Sequence, residues 1–81
     1  MKAAFSQRFI RQYANLSEDR KAKVDKQLGF LLTNLRHPSL RAKKYDEARD
    51  IWQARLDENY RFYFLIEGDT YRLLSIIPHP K

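Results

Sequence analysis

Apolar positions repeat at helical spacing through the first half of this chain and at every second residue through the second half. That change of period predicts helices followed by strands, an α+β arrangement. Lys2 to Phe5 reads as a short first strand. Ser6 is placed to cap a helix, because its hydroxyl can accept from free amides at a helix start. Phe5 and Ile10 flank it at the spacing of a hydrophobic staple. Phe9, Tyr13 and Leu16 mark one face of that first helix.

Ser17 restarts the pattern, and Glu18 and Asp19 put negative charge at the positive end of a second helix. Val24, Leu28, Leu31 and Leu35 then recur at steps of four, three and four, and Leu32 widens the stripe. Pro38 ends the run, since the residue before a proline is biased out of helix. The two helices are expected to form an antiparallel hairpin. Phe30 lies well off the helical stripe. It either fills a gap beside another element or belongs to a partner surface.

Four strands are expected next. Leu40–Tyr45 is followed by a polar loop, 46–50, and Ile51–Leu56 by a turn at Asp57-Glu58-Asn59. Tyr60–Ile66 is rich in aromatic and branched residues. Gly68-Asp69 is a good hairpin turn, because glycine tolerates positive φ, and Thr70–Ile77 closes the set before Pro78 and Pro80 stop ladder pairing. Tight turns make successive strands antiparallel neighbours. The fold expected is a single α+β domain over residues 1–81, a helical hairpin packed on a mainly antiparallel sheet. Alternation points Trp52, Ala54 and Leu56, with Tyr60, Phe62, Phe64 and Ile66, toward the helices. Trp52 is therefore expected in the core rather than as a base-stacking residue. Gln53, Arg55, Arg61 and Tyr63 are left on the open face.

Charge alters the picture more than composition does. The net charge is +6, and its placement matters more than its size. From Arg20 to Lys44 there are eight basic residues and one acid, Asp25, whereas most acids fall in expected turns. Such a field suits a polyanion, either nucleic acid or an acidic protein, or else is a solvated face that keeps a small domain soluble. An open sheet face with two arginines and a tyrosine favours the first reading. Guanidinium forks fit phosphate oxygens, and a phenol ring offers a base a surface to stack on.

Other chemistry is largely excluded. There is no cysteine, so neither disulfides nor thiolates arise. The two histidines lie far apart in sequence, no carboxylate cluster has ligand spacing, and no Gly-rich phosphate loop is present, so neither metal nor cofactor is expected. His37, in a loop before Pro38, reads as structural. No apolar run is long enough for a membrane span and the first residues lack a secretion pattern. The expectation is a soluble cytoplasmic protein.

The segments His37-Pro38-Ser39-Leu40-Arg41-Ala42-Lys43-Lys44, Ile51-Trp52-Gln53-Ala54-Arg55-Leu56, Tyr60-Arg61-Phe62, Ile66-Glu67-Gly68-Asp69 and Ile77-Pro78-His79 together resemble the RelE/ParE superfamily of bacterial toxins. The resemblance runs along nearly the whole chain, and the Trp-x-x-Arg and Tyr-Arg strands are its most specific part. It implies the toxin of a toxin–antitoxin pair, a ribosome-dependent messenger RNA endonuclease that needs no metal, with the ribosome, messenger RNA and a cognate antitoxin as partners. Arg55 and Arg61 would bind the scissile phosphate and stabilise its transition-state charge. His79 would act as general acid, imidazole being the side chain that ordinarily titrates nearest neutral pH. Arg41, Lys43, Lys44, Gln53 and Lys81 would grip RNA. Three departures stand out. No tyrosine follows His79, Gln53 stands where some relatives carry lysine, and no upstream glutamate matches the base of others. Tyr63 and Tyr71 are the phenols that remain. A ParE-like inhibitor of DNA gyrase and a non-catalytic RNA-binding domain therefore stay open beside the nuclease.

Overall fold

The computed structural model describes residues 1–79. In chain order it runs β1 (Lys2–Phe5), α1 (Gln7–Ala14), α2 (Glu18–Thr33), a 3-10 turn (Pro38–Leu40), β2 (Lys43–Asp46), β3 (Ile51–Arg55), β4 (Tyr60–Glu67) and β5 (Thr70–Pro78). The five strands form one sheet in the order β1-β5-β4-β3-β2. β2 to β5 are antiparallel neighbours, and β1 pairs parallel to β5 at the edge. The α+β expectation holds, with the order of elements expected from the change of period.

Both helix starts follow from serine chemistry. Ser6 Oγ accepts from Phe9 N at 3.0 Å and donates to Leu74 O at 2.8 Å, so one hydroxyl caps α1 and ties it to β5. Ser6→Ala is expected to cost about 1–2 kcal/mol, the usual loss for an N-cap plus part of a hydrogen bond. Chemical denaturation checks this, and an unchanged midpoint would refute the dual role. Phe5 does not staple the helix as expected. Phe5 and Ile10 are both exposed, and Phe5 packs on Phe9 instead, ring centroids 5.3 Å apart. Ser17 Oγ accepts from Arg20 N at 3.2 Å to start α2. The helices are joined by residues 15–17 and linked by Tyr13 Oη donating to Asp25 Oδ1 at 2.9 Å.

The core gathers Phe9, Val24, Leu31, Leu40, Ala54, Leu56, Phe62, Phe64, Tyr71, Leu73 and Ile76. Val24 and Leu31 of the helical stripe are buried, but α2 ends at Thr33, so Leu35 packs from the following loop. Phe30 fills a gap. Its ring stacks on His37, 3.7 Å between centroids. Trp52 is half-buried and stacks on Phe64, as its register implied.

The strand expected over Leu40–Tyr45 starts later. Pro38 opens a 3-10 turn that His37 Nδ1 caps by accepting from Ser39 N at 3.2 Å. Leu40 is fully buried inside that turn, and Arg41 leaves it in a left-handed conformation (φ 46°). Pairing also continues past Pro78, contrary to expectation. His79 N donates to Asn59 O at 2.7 Å, while Pro78 sits opposite Tyr60. In an antiparallel ladder hydrogen-bonded and non-hydrogen-bonded pairs alternate. Pro78 therefore falls at a position where a missing N–H removes nothing.

Candidate nucleic-acid interface

Arg55 is opposite Arg61 in register, and Arg61 is opposite Ile77. The bond from Leu56 N to Tyr60 O, 3.1 Å, makes the next pair, Arg55 and Arg61, a non-hydrogen-bonded one. That is the closer of the two cross-strand spacings, roughly 4.5 Å between Cα atoms. Two guanidinium-bearing positions thus stand side by side on one face. His79 lies two residues beyond Ile77 on the continued ladder, and alternation puts it on that face too.

The side chains differ in freedom. Arg61 Nη1 donates to Asp57 O at 2.7 Å and to Tyr60 O at 2.9 Å. A guanidinium has five N–H donors, so this holds it against the β3–β4 turn without exhausting it. Arg55 is half-buried and lines a cleft of about 650 Å³. His79 Nδ1 is buried with no hydrogen-bond partner among the described residues.

Two expected contact residues are not on an open surface. Gln53 and Tyr63 are only 8% and 9% exposed, and Tyr63 Oη donates to Gln53 Oε1 at 3.2 Å. Register shifts explain this. Tyr45 is the extra residue between Lys44, opposite Trp52, and Asp46, opposite Ile51. Freed from the ladder, its ring packs edge-on against Tyr63 at 4.9 Å. A second bulge beside Tyr63 bends β5 at Leu74. Gln53 is therefore a nearly buried partner of Tyr63 and presents little surface on this face. Lys44 also turns away, since it shares the Trp52 face, bonds Asp50 Oδ1 at 3.0 Å and lies 5.3 Å from the Trp52 ring. Lys43, opposite Gln53, and Arg41 are exposed. Lys81 lies outside the described residues. Burial pushes the Tyr63 hydroxyl up, Tyr45 adds to the effect and Arg61 opposes it; burial also raises Tyr71. Neither phenol is poised to act as a base.

Sequence reasoning missed the groups that set this end of the sheet. Gln27 of α2 is 6% exposed. Its Nε2 donates to Arg55 O at 2.8 Å and to Ser39 O at 3.1 Å, and its Oε1 accepts from Ser39 Oγ at 3.1 Å. One amide thus joins helix, 3-10 turn and the Arg55 backbone. The available signal was a polar residue on the stripe between Val24 and Leu31. Asp57 does similar work from the turn. Its Oδ1 accepts from Asn59 N and Tyr60 N, and its Oδ2 from Arg20 Nε at 2.9 Å, with Lys23 Nζ 3.6 Å away. The Arg20 guanidinium carbon in turn sits 4.1 Å from the centre of the Tyr60 ring.

This architecture can be set beside known proteins. No family model and no curated protein matches the sequence. Solved structures do match it. The YoeB/ParE toxin from Agrobacterium tumefaciens superposes with a TM-score of 0.81 at 13% identity, over 99% of this chain and 100% of that one. YoeB from Staphylococcus aureus, in its dimer, gives 0.82 at 13% identity over 99% and 98%. The archaeal RelE of a RelE–RelB complex from Pyrococcus horikoshii OT3 gives 0.80 at 13% identity over 95% and 92%. The fold is that of the RelE/ParE toxins. Within this RelE-like fold, the resemblance read from Trp52, Arg55 and the Tyr60-Arg61 strand lands on adjacent strands, β3 and β4.

Asp57 also gives the RelE-like domain an acid-sensitive point. Burial alone raises its carboxyl pKa, but the Arg20 guanidinium and the backbone N–H groups of Asn59 and Tyr60 outweigh this and hold it below the usual range. A carboxyl lowered on folding adds stability that is present above the unfolded pKa, about 3.9, and lost as pH falls through the folded value. Asp57→Asn is expected to lower the melting temperature at pH 6 and to converge with the parent toward pH 2. A difference that stays constant with pH would exclude this assignment.

Proposed function

We propose that this chain is the toxin of a toxin–antitoxin pair and acts as a ribosome-dependent messenger RNA endonuclease. The observation that carries the reading is the register that sets Arg55 beside Arg61, with His79 on the same face, in a RelE-like fold. In the reaction the RNA 2′-hydroxyl oxygen attacks the adjacent phosphorus, and the bond to the 5′-oxygen breaks. The products are a 2′,3′-cyclic phosphate and a free 5′-hydroxyl. The attacking hydroxyl releases its proton to water, and the departing oxygen takes one from the His79 imidazolium. Arginines stay protonated and cannot shuttle protons. Arg55 and Arg61 instead place fixed positive charge where the phosphorane oxygens gain negative charge.

Antitoxin binding is part of the proposal. RelE-fold neighbours from Staphylococcus aureus, Escherichia coli and Pyrococcus horikoshii are found in complexes with YefM or RelB. An acidic amphipathic segment would suit the basic surface here. Cytoplasmic action follows from the messenger target.

The test is direct. Purified protein is added to a translation reaction, message ends are mapped by primer extension, and gyrase supercoiling is assayed in parallel. Ribosome-dependent cuts support the proposal. Blocked supercoiling without cuts means a gyrase inhibitor, and salt-sensitive RNA retention with neither effect means a non-catalytic binding domain. His79→Gln is expected to slow cutting by about 10²–10⁴-fold, the usual contribution of a positioned acid. Cutting at the parent rate removes His79 from the mechanism.

A further inference from the structure

The cleft beside Arg55 is lined mostly by residues outside the strand positions that carry Arg61 and His79. α2 contributes Arg20, Lys23, Lys26 and Gln27, the 3-10 turn and its exit contribute Ser39 and Arg41, and the β3–β4 turn closes it with Asp57, Glu58 and Asn59. Five cations therefore surround about 650 Å³ of open space. The two carboxylates on its walls do not balance them. Asp57 is taken up by Arg20 and Lys23, while Lys26, Arg41 and Arg55 are in no ion pair among the described residues. Like charges held around one concavity repel one another and raise the local potential. The molecule retains the arrangement at some expense in stability, and a multiply charged anion removes that expense.

Spacing indicates the shape of the ligand. Arg20, Lys23 and Lys26 sit three residues apart on α2, so they advance along one edge over about 9 Å of helix axis. Arg55 stands at the sheet end of the same cleft. A row of cations that leads into a phosphate-binding position fits a strand of linked phosphates better than a single small anion. We propose that this groove holds the backbone of a single-stranded RNA next to the phosphate at Arg55 and Arg61, with Lys23 and Lys26 as its new contacts. The identity of the polyanion as RNA rests on the function proposed above. The groove is a separate claim about α2, and it makes binding depend on residues that do no chemistry.

The test uses a fluorescently labelled oligouridine strand, which has no secondary structure and is offered without ribosomes. Its anisotropy is titrated at several salt concentrations. Lys23→Gln/Lys26→Gln is expected to weaken binding about 10-fold at low salt. It is also expected to reduce the slope of log K against log salt by about 1.4, two contacts at roughly 0.7 each for single strands. Arg8→Gln/Arg11→Gln, on exposed positions of α1, removes the same net charge away from the cleft. That variant is expected to keep the parent slope. Equal slopes for the two double variants would overturn the proposal, and so would poly-glutamate binding as tightly as the RNA. If the first variant fails to fold, Lys26→Gln alone carries the test with half the change in slope. Loss of message cutting leaves this binding result standing, and an unchanged slope leaves cutting standing, so the two readings fail separately.

Discussion

Arg61→Gln is expected to lower the rate of message cleavage by about 10²–10³-fold, the usual loss when one preorganised donor to a developing oxyanion is removed. Fold stability should hardly change. The substitution gives up the two bonds from Nη1 to the carbonyls of Asp57 and Tyr60. Each is worth about 0.5–1.5 kcal/mol in water-accessible surroundings. It also relieves repulsion from Arg55, directly opposite in the closer kind of cross-strand pair. These effects have opposite sign, so the melting temperature should stay within a few degrees of the parent. Arg61→Lys keeps the charge but loses the planar fork and should recover only part of the rate. Single-turnover cutting on programmed ribosomes, beside a thermal melt, reads both quantities. Parent-like cutting by Arg61→Gln would end the catalytic assignment. Lost cutting with a collapsed melt would instead mark Arg61 as structural.

The largest stability effect is expected at Gln27. Replacement by leucine keeps much of the volume but leaves the carbonyls of Arg55 and Ser39 without their side-chain donor, while the Ser39 hydroxyl keeps His37 Nδ1 as a partner. Part-buried groups left unpaired cost about 1–3 kcal/mol. At about 4–8 °C per kcal/mol for a domain of this size, the melting temperature should fall by roughly 8–16 °C for a 2 kcal/mol loss. Gln27→Glu should be worse, because it removes both donors and buries a charge. Any RNA affinity should fall as well, since Gln27 fixes the backbone of Arg55. A melt within two degrees or so of the parent for Gln27→Leu would show that water replaces the amide and that the tether is unimportant.

Much of the molecule is legible in its sequence. Ser6 and Ser17 identify helix starts, because a hydroxyl next to free amides acts locally and needs no distant partner. β4 follows from its own alternation, and Gly68, at φ 60°, from the backbone its turn requires. The adjacency of Arg55 and Arg61 was implicit in the short turn between their strands. The misreadings share a cause. The pattern puts a strand start at Leu40 because apolar residues look alike in an extended segment and in a 3-10 turn. The difference came from His37 Nδ1 and Pro38.

Alternation puts Gln53 and Tyr63 on an open surface because it treats a sheet as flat. It is not flat here. Tyr45, expelled by a bulge in β2, packs over Tyr63, and a second bulge, between β4 and β5, bends β5. A bulge depends on how two strands meet, so neither strand's sequence announces it. Lys44 went the same way, since its partners, Asp50 and the Trp52 ring, are decided by register.

By itself the sequence determined the change from helix to strand, the two helix starts, the turn glycine and the arginines on neighbouring strands, because each depends on interactions within a few residues. Tertiary structure alone decided that Gln27 holds Arg55 in place, that Asp57 is paired with Arg20 and Lys23, and that α2 lines a cationic cleft beside the sheet. These contacts join residues about 30 or more positions apart, and such distances in sequence close only when apolar burial folds the helices onto the strands.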